Sequence, residues 1–173
     1  DPIITDVSPE DGPKGTYVTI LGNNFGSVPG TVRFVGCAGA PSVLADTVFP
    51  AWCGAQYWFR DHIIVKVPDA PVMSDGIYRL QVTQNAMYGG ASTAGPCSAQ
   101  NQFEKDSGIP LRPGLCRISP VGGPVGTPVS YWGENFGIAP NQVFFHSLVP
   151  QNVFTSWNNS QVIGADVPSG AVD

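Results

Sequence analysis

Short stretches of this 173-residue chain alternate between apolar and polar or small residues with a period of two. Val18, Ile20 and Gly22 alternate with Thr19 and Leu21, which predicts a strand with one buried face. Val129, Tyr131 and Gly133 repeat the pattern further on. Each run follows a Ser-Pro step and a Gly-Pro-x-Gly-Thr step. Those steps predict a double turn, because Pro fixes φ and Gly supplies positive φ. Asn24-Phe25-Gly26 and Asn135-Phe136-Gly137 close the two strands. Phe25 is expected to plug the end of a core, and Gly26 to stand where no Cβ fits. No stretch sustains a 3.6-residue period, and Pro2-Ile3-Ile4 already reads as the first strand.

These two stretches are one motif written twice. Residues 7–26 and 118–137 align without a gap, with Pro9 matching Pro120 and Gly26 matching Gly137, 111 positions apart. A repeat of that length is a domain, not a solenoid turn.

The motif resembles the IPT/TIG family of immunoglobulin-like domains. Later residues agree with the resemblance. Phe59 to Pro68, with Ile63, Val65 and Val67 alternating into Pro68, is similar to the family's mid-domain strand, and Val162 to Pro168 to a second copy of it. Gly76 to Val82 is similar to its Gly-x-Tyr-x-Val-x-Val strand, which would make Ser98 to Phe103 the last strand of the first domain. The resemblance implies all-β, tandem immunoglobulin-like sandwiches. The expected domains are 1–106, with a Cys-containing insertion near 36–56, and 115–173, joined by a Pro-containing linker at 107–114. The second copy has no counterpart of Gly76 to Phe103, so strands from further chain or from a neighbouring subunit are expected to cover it.

Composition changes the picture little. There are 21 Gly and 17 Pro, which suits short strands and many turns, and 42% hydrophobic residues, which suits a packed core. Charged residues are 12% with a net charge of −5, so a basic nucleic-acid groove or a patch for anionic membranes is not expected. No apolar run is long enough for a membrane helix.

Candidate chemistry is sparse. Cys37, Cys53, Cys97 and Cys116 allow three pairings. Cys37–Cys53 would staple the insertion and Cys97–Cys116 would join the domains; this pairing is preferred here, with four free thiols as the alternative. No catalytic constellation, cofactor site or metal site is expected. His62 and His146 read as packing or surface residues, and Asp6, Glu10 and Asp11 as turn and edge residues. Asn158-Asn159-Ser160 is an N-glycosylation sequon. Trp132 and Phe144 face outward by the period of two, and Trp52 and Trp58 lie in or beside the insertion. These four are the expected interface residues. For Trp52 and Trp58 a loop mini-core or a sugar platform is the alternative.

Two functions fit these features. One is a non-enzymatic structural or adhesive module of a large extracellular surface or filament protein, whose partners are other immunoglobulin-like modules, neighbouring subunits and glycans. The other is an accessory, carbohydrate-associated module of an extracellular enzyme or a receptor ectodomain. A DNA-contacting role ranks third, because no basic loops are present.

Overall fold

In the computed structural model of the protein, residues 1–93, 97, 101–145, 149–151 and 153–170 are described. They are β-strands and turns with no α-helix; two short 3-10 turns occur, at Ala51–Cys53 and Ala86–Tyr88. The chain divides into two compact units. One comprises Asp1–Phe49 and Ala55–Arg112, the other Pro50–Gly54 and Pro113–Asp173.

The first unit has two sheets. One pairs β1 (Ile3–Ser8), β3 (Tyr17–Asn23) and β6 (His62–Lys66) in the order β1-β3-β6. The other has five strands, β2 (Asp11–Gly12), β4 (Thr31–Gly36), β5 (Val43–Leu44), β7 (Gly76–Thr83) and β8 (Gln102–Lys105), in the order β2-β8-β7-β4-β5. Alternation sets the core. Val18 and Ile20 of β3 are fully buried, whereas Leu21 is 41% exposed. Ile63 and Val65 of β6, Phe34 of β4, Tyr78, Leu80 and Val82 of β7 and Phe103 of β8 join them in one cluster. Phe34 and Phe103 meet edge to face at 5.5 Å.

The second unit has a four-stranded sheet of β9 (Gly114–Ser119), β10 (Pro128–Glu134), β13 (Ser156–Asn158) and β14 (Gln161–Asp166), ordered β13-β14-β10-β9. Opposite it stands a hairpin of β11 (Val143–Phe145) and β12 (Val149–Gln151). Val129, Val162 and Ala165 are buried. Tyr131 is half-buried against Phe145, and burial pushes its phenol pKa up to about 12.

The repeated motif makes the same backbone bonds in both units. Gly15 N–H donates to Val67 O (2.9 Å) and Gly126 N–H to Val167 O (2.8 Å); Gly22 N–H donates to Asp61 O (2.8 Å) and Gly133 N–H to Ser160 O (3.0 Å). Glycine is required at the last pair. A Cβ on Gly22 would stand 2.0 Å from Ile3 O, and one on Gly133 1.8 Å from Gly114 O. Phe25 and Phe136 occupy the remaining space above them.

Three details depart from the sequence expectations. The last strand of the first unit is Gln102–Lys105, and residues 98–100 lie outside the described ones. The expected linker is divided. Leu111 packs over Gly15, and the Arg112 guanidinium grips the Asp11 carboxylate at 2.5 Å and its carbonyl at 2.9 Å, so the first unit extends to Arg112. Finally, all four cysteines are oxidised but with a different pairing: Cys37–Cys97 (Cα–Cα 5.9 Å) and Cys53–Cys116 (5.4 Å). The reason lies in the insertion. It is not a self-contained loop; its later part, Pro50–Gly54, leaves the first unit and belongs to the second. Each bond therefore closes within one unit.

Candidate functional site

Both units carry polar or aromatic groups not consumed by a core. Those of unit one gather at the end where β3 leaves its sheet. Asn24 turns the chain there with φ +62°, and Gly26 follows with φ +82°. Tyr88, on the 3-10 turn Ala86–Tyr88, lays its ring on Gly26; a Cβ at Gly26 would stand 2.6 Å from two of its ring carbons. The phenol oxygen lies 2.7 Å from Ser27 Oγ and accepts from Ser27 N–H at 3.3 Å. Those bonds, with the nearby Arg60 charge as a lesser cause, hold its pKa below the usual tyrosine value. The Gln84 amide donates to the Asn24 carbonyl, and the Asn85 amide to Pro29 O at 3.0 Å. Arg60 is fixed at its backbone, whose carbonyl accepts from Phe25 N–H at 3.0 Å. Asn24, Gly26, Arg60, Gln84 and Tyr88 line an open cavity of about 260 Å³.

The aromatic groups of unit two stand on separate elements and do not form one patch. Trp132 stands on the outward side of β10, half-buried beneath Arg117, whose guanidinium carbon lies 4.6 Å from the ring centre in a cation–π contact. Trp52, on the Pro50–Gly54 segment, donates its indole N–H to Gly133 O at 3.0 Å and stays 45% exposed. The register shift between Trp132 and Gly133 marks a bulge in the β10–β9 pairing beside that carbonyl. Phe144 on β11 is 56% exposed, opposite Pro150.

One expected interface residue is corrected. Trp58 is 3% exposed and part of the core of unit one. Its ring packs against Phe25 at 6.5 Å, and its indole N–H reaches the carbonyls of Phe25 and Gly26 at 3.3 and 3.2 Å. A bridge to Ile63 holds it against β6, so it is a plug rather than a platform. Asn158 is exposed at the β13–β14 turn, where its carboxamide oxygen accepts from Ser160 N–H (2.9 Å) and Ser160 Oγ (3.0 Å). His62 stacks on Phe59 at 4.1 Å and bonds Asp61 at 2.7 Å. His146 lies outside the described residues. Asp11 is committed to Arg112, whose hydrogen bond holds its carboxyl below the usual carboxylate range. No group of three or more His, Cys, Asp and Glu side chains converges on a possible ion among the described residues.

Two features were not legible beforehand. Arg60 comes from the loop before β6, Gln84 and Tyr88 from the loop after β7, and the three form no local motif. Lys105, at a strand end, is 5% exposed, with its ammonium 2.6 Å from both Asp75 Oδ1 and Ser107 Oγ. It borders a second cavity of about 280 Å³, also lined by Pro13, Lys14, Pro68, Asp69 and Met73, whose charges are paired as Lys14–Asp69 and Lys105–Asp75.

The IPT/TIG domain family matches residues 2–104. No curated protein sequence matches the chain significantly. Similar solved structures include the full extracellular region of plexin A4, at 21% identity and TM-score 0.36 over 99% of this chain and 14% of that one. A surface glycan-binding protein of Prevotella bryantii matches at 14% identity and TM-score 0.33, over 99% of this chain and 37% of that one. SGBP-B from a complex xyloglucan utilization locus in Bacteroides uniformis matches at 22% identity and TM-score 0.35, over 98% and 43%. The chain thus spans less than half the length of each.

Proposed function

The chain belongs to the IPT/TIG family of immunoglobulin-like domains, and from that premise we propose that it serves as a structural or adhesive module outside the cell, acting by assembly rather than turnover. The exposed aromatic side chains of unit two carry this reading. Phe144 is 56% and Trp52 45% exposed, and aromatic side chains are enriched where proteins meet one another. The partners proposed are other immunoglobulin-like modules and neighbouring subunits. Two disulfides support the extracellular setting, because such bonds persist in oxidising compartments. Asn158, exposed and held by Ser160, is the proposed site of an N-linked glycan.

The test is sedimentation of the full chain over a wide concentration range, alone and with its Phe144→Ala and Trp52→Ala variants. Concentration-dependent association is expected, reduced about tenfold in each variant, as for a truncated aromatic anchor. A chain that stays monomeric throughout, or associates equally well without both aromatics, defeats the reading.

A further inference from the structure

We propose that the cavity at the end of unit one binds a single uronic acid unit of an acidic polysaccharide. Its carboxylate would meet Arg60, its ring would lie against Tyr88, and its hydroxyls would meet Asn24 and Gln84. Arg60 is exposed and has no ion-pair partner among the described residues, although its neighbour Asp61 is bonded to His62. A free guanidinium recognises a carboxylate through two parallel N–H bonds. Among the described residues the amide oxygens of Asn24 and Gln84 accept no hydrogen bond, while the Asn24 amide donates a long bond, 3.4 Å, to Asp1 O and the Gln84 amide donates to the Asn24 carbonyl. A carboxamide both donates and accepts, as a sugar hydroxyl does. Tyr88 stays 39% exposed while one part of its ring rests on Gly26, so it offers a flat apolar surface with a polar edge.

Size and rigidity fit one sugar unit. At about 260 Å³ the cavity is smaller than a typical pocket for a drug-sized ligand, roughly 300–1,000 Å³. Its walls are locked before any ligand arrives, by Ser27 on Tyr88, by Gln84 on Asn24 and by Asn85 on Pro29, which lowers the ordering cost of binding. An acidic side chain fits less well, because its methylenes offer the amide acceptors no donor, whereas the hydroxyls on a sugar ring do. Unit two supplies an internal contrast. Asn159 precedes Ser160 as Arg60 precedes Asp61, and its carboxamide oxygen is taken by Gly137 N–H at 3.1 Å. No ring lies within 4 Å of where a Gly137 Cβ would be, among the described residues.

The experiment is calorimetric titration of the full chain with oligogalacturonate and alginate oligomers, the methyl-esterified oligogalacturonate, and polyglutamate as an acidic peptide. At least one free-acid oligouronate should bind. Methyl esterification and Arg60→Gln should each weaken it by about tenfold or more, as for loss of a charged hydrogen bond. Tyr88→Ala should weaken it similarly, while Tyr88→Phe, which keeps the ring, should bind nearly as wild type. Native hydrogen-exchange protection in each variant confirms that folding is intact. Failure of both oligouronates to bind, or binding indifferent to Arg60→Gln, overturns the proposal. Polyglutamate binding of equal strength that ignores Tyr88→Ala assigns the cavity to acidic peptides and also overturns it. Association through Phe144 and Trp52 is unaffected by either result.

Discussion

Unit one and unit two share a backbone motif but not a degree of burial. Phe25 is fully buried, and its counterpart Phe136 is half-buried. Trp58 donates to Gly26 O and is 3% exposed; Trp157 donates to Gly137 O at 3.2 Å and is half-buried. Phe25 N–H to Arg60 O and Phe136 N–H to Asn159 O are both 3.0 Å. The difference lies in the facing sheet, which among the described residues has five strands in unit one and two in unit two. Turn chemistry therefore dictates the local path of the chain without a dense core, while the number of covering strands decides how much apolar area leaves water.

Reducing both disulfides should expose this difference most strongly. Each closes a long loop, with sequence separations of 60 and 63, and a loop of that size is worth about 4 kcal/mol. Amides of β10 and β14 should lose hydrogen-exchange protection first, because unit two has the smaller core. Earlier loss in β3 and β6 would break the comparison.

Truncating the paired indoles sharpens it. Trp58→Ala should cost about 3–5 kcal/mol, as a fully buried Trp does. Trp157→Ala, starting half-buried, should cost less than half of that. Urea melts followed by amide exchange in each unit would separate the two, and equal costs would mean that burial does not distinguish them.

The smallest effect concerns acid. Asp11 is held low by its Arg112 hydrogen bond, and Asp75 mainly by Lys105, then Ser107. A carboxylate whose folded pKa is depressed stabilises the fold above its unfolded value, 3.8 here, and that contribution is lost as pH falls through the folded value. The urea midpoint of unit one should therefore drop between about pH 5 and about pH 3, and the drop should shrink in Asp75→Asn. An unchanged drop in that variant would remove Asp75 from the account.

The strands were the readable part of this molecule. A period of two names Val18, Ile20 and Val65 as core regardless of what lies opposite, because the pleat alone sets the side. Trp58 was misread because its position depends on a single bridge to Ile63 and on two turn carbonyls that happen to accept its indole N–H. The cysteine pairing was closed to sequence because nothing in Pro50–Gly54 announces that it leaves its own unit. The cavity was equally hidden. Asn24, Arg60, Gln84 and Tyr88 become neighbours only through the pairing of β3 with β6 and the return of the chain after β7.

The order of the bonded cysteines has a topological result. Along the chain they run 37, 53, 97, 116, and the first joins the third while the second joins the fourth. The two covalent rings overlap, so one backbone cut anywhere from Cys37 to Cys116 leaves a single molecule. A protease must cut twice before any fragment from that span can separate, and it gains nothing from the first cut unless a reductant is present.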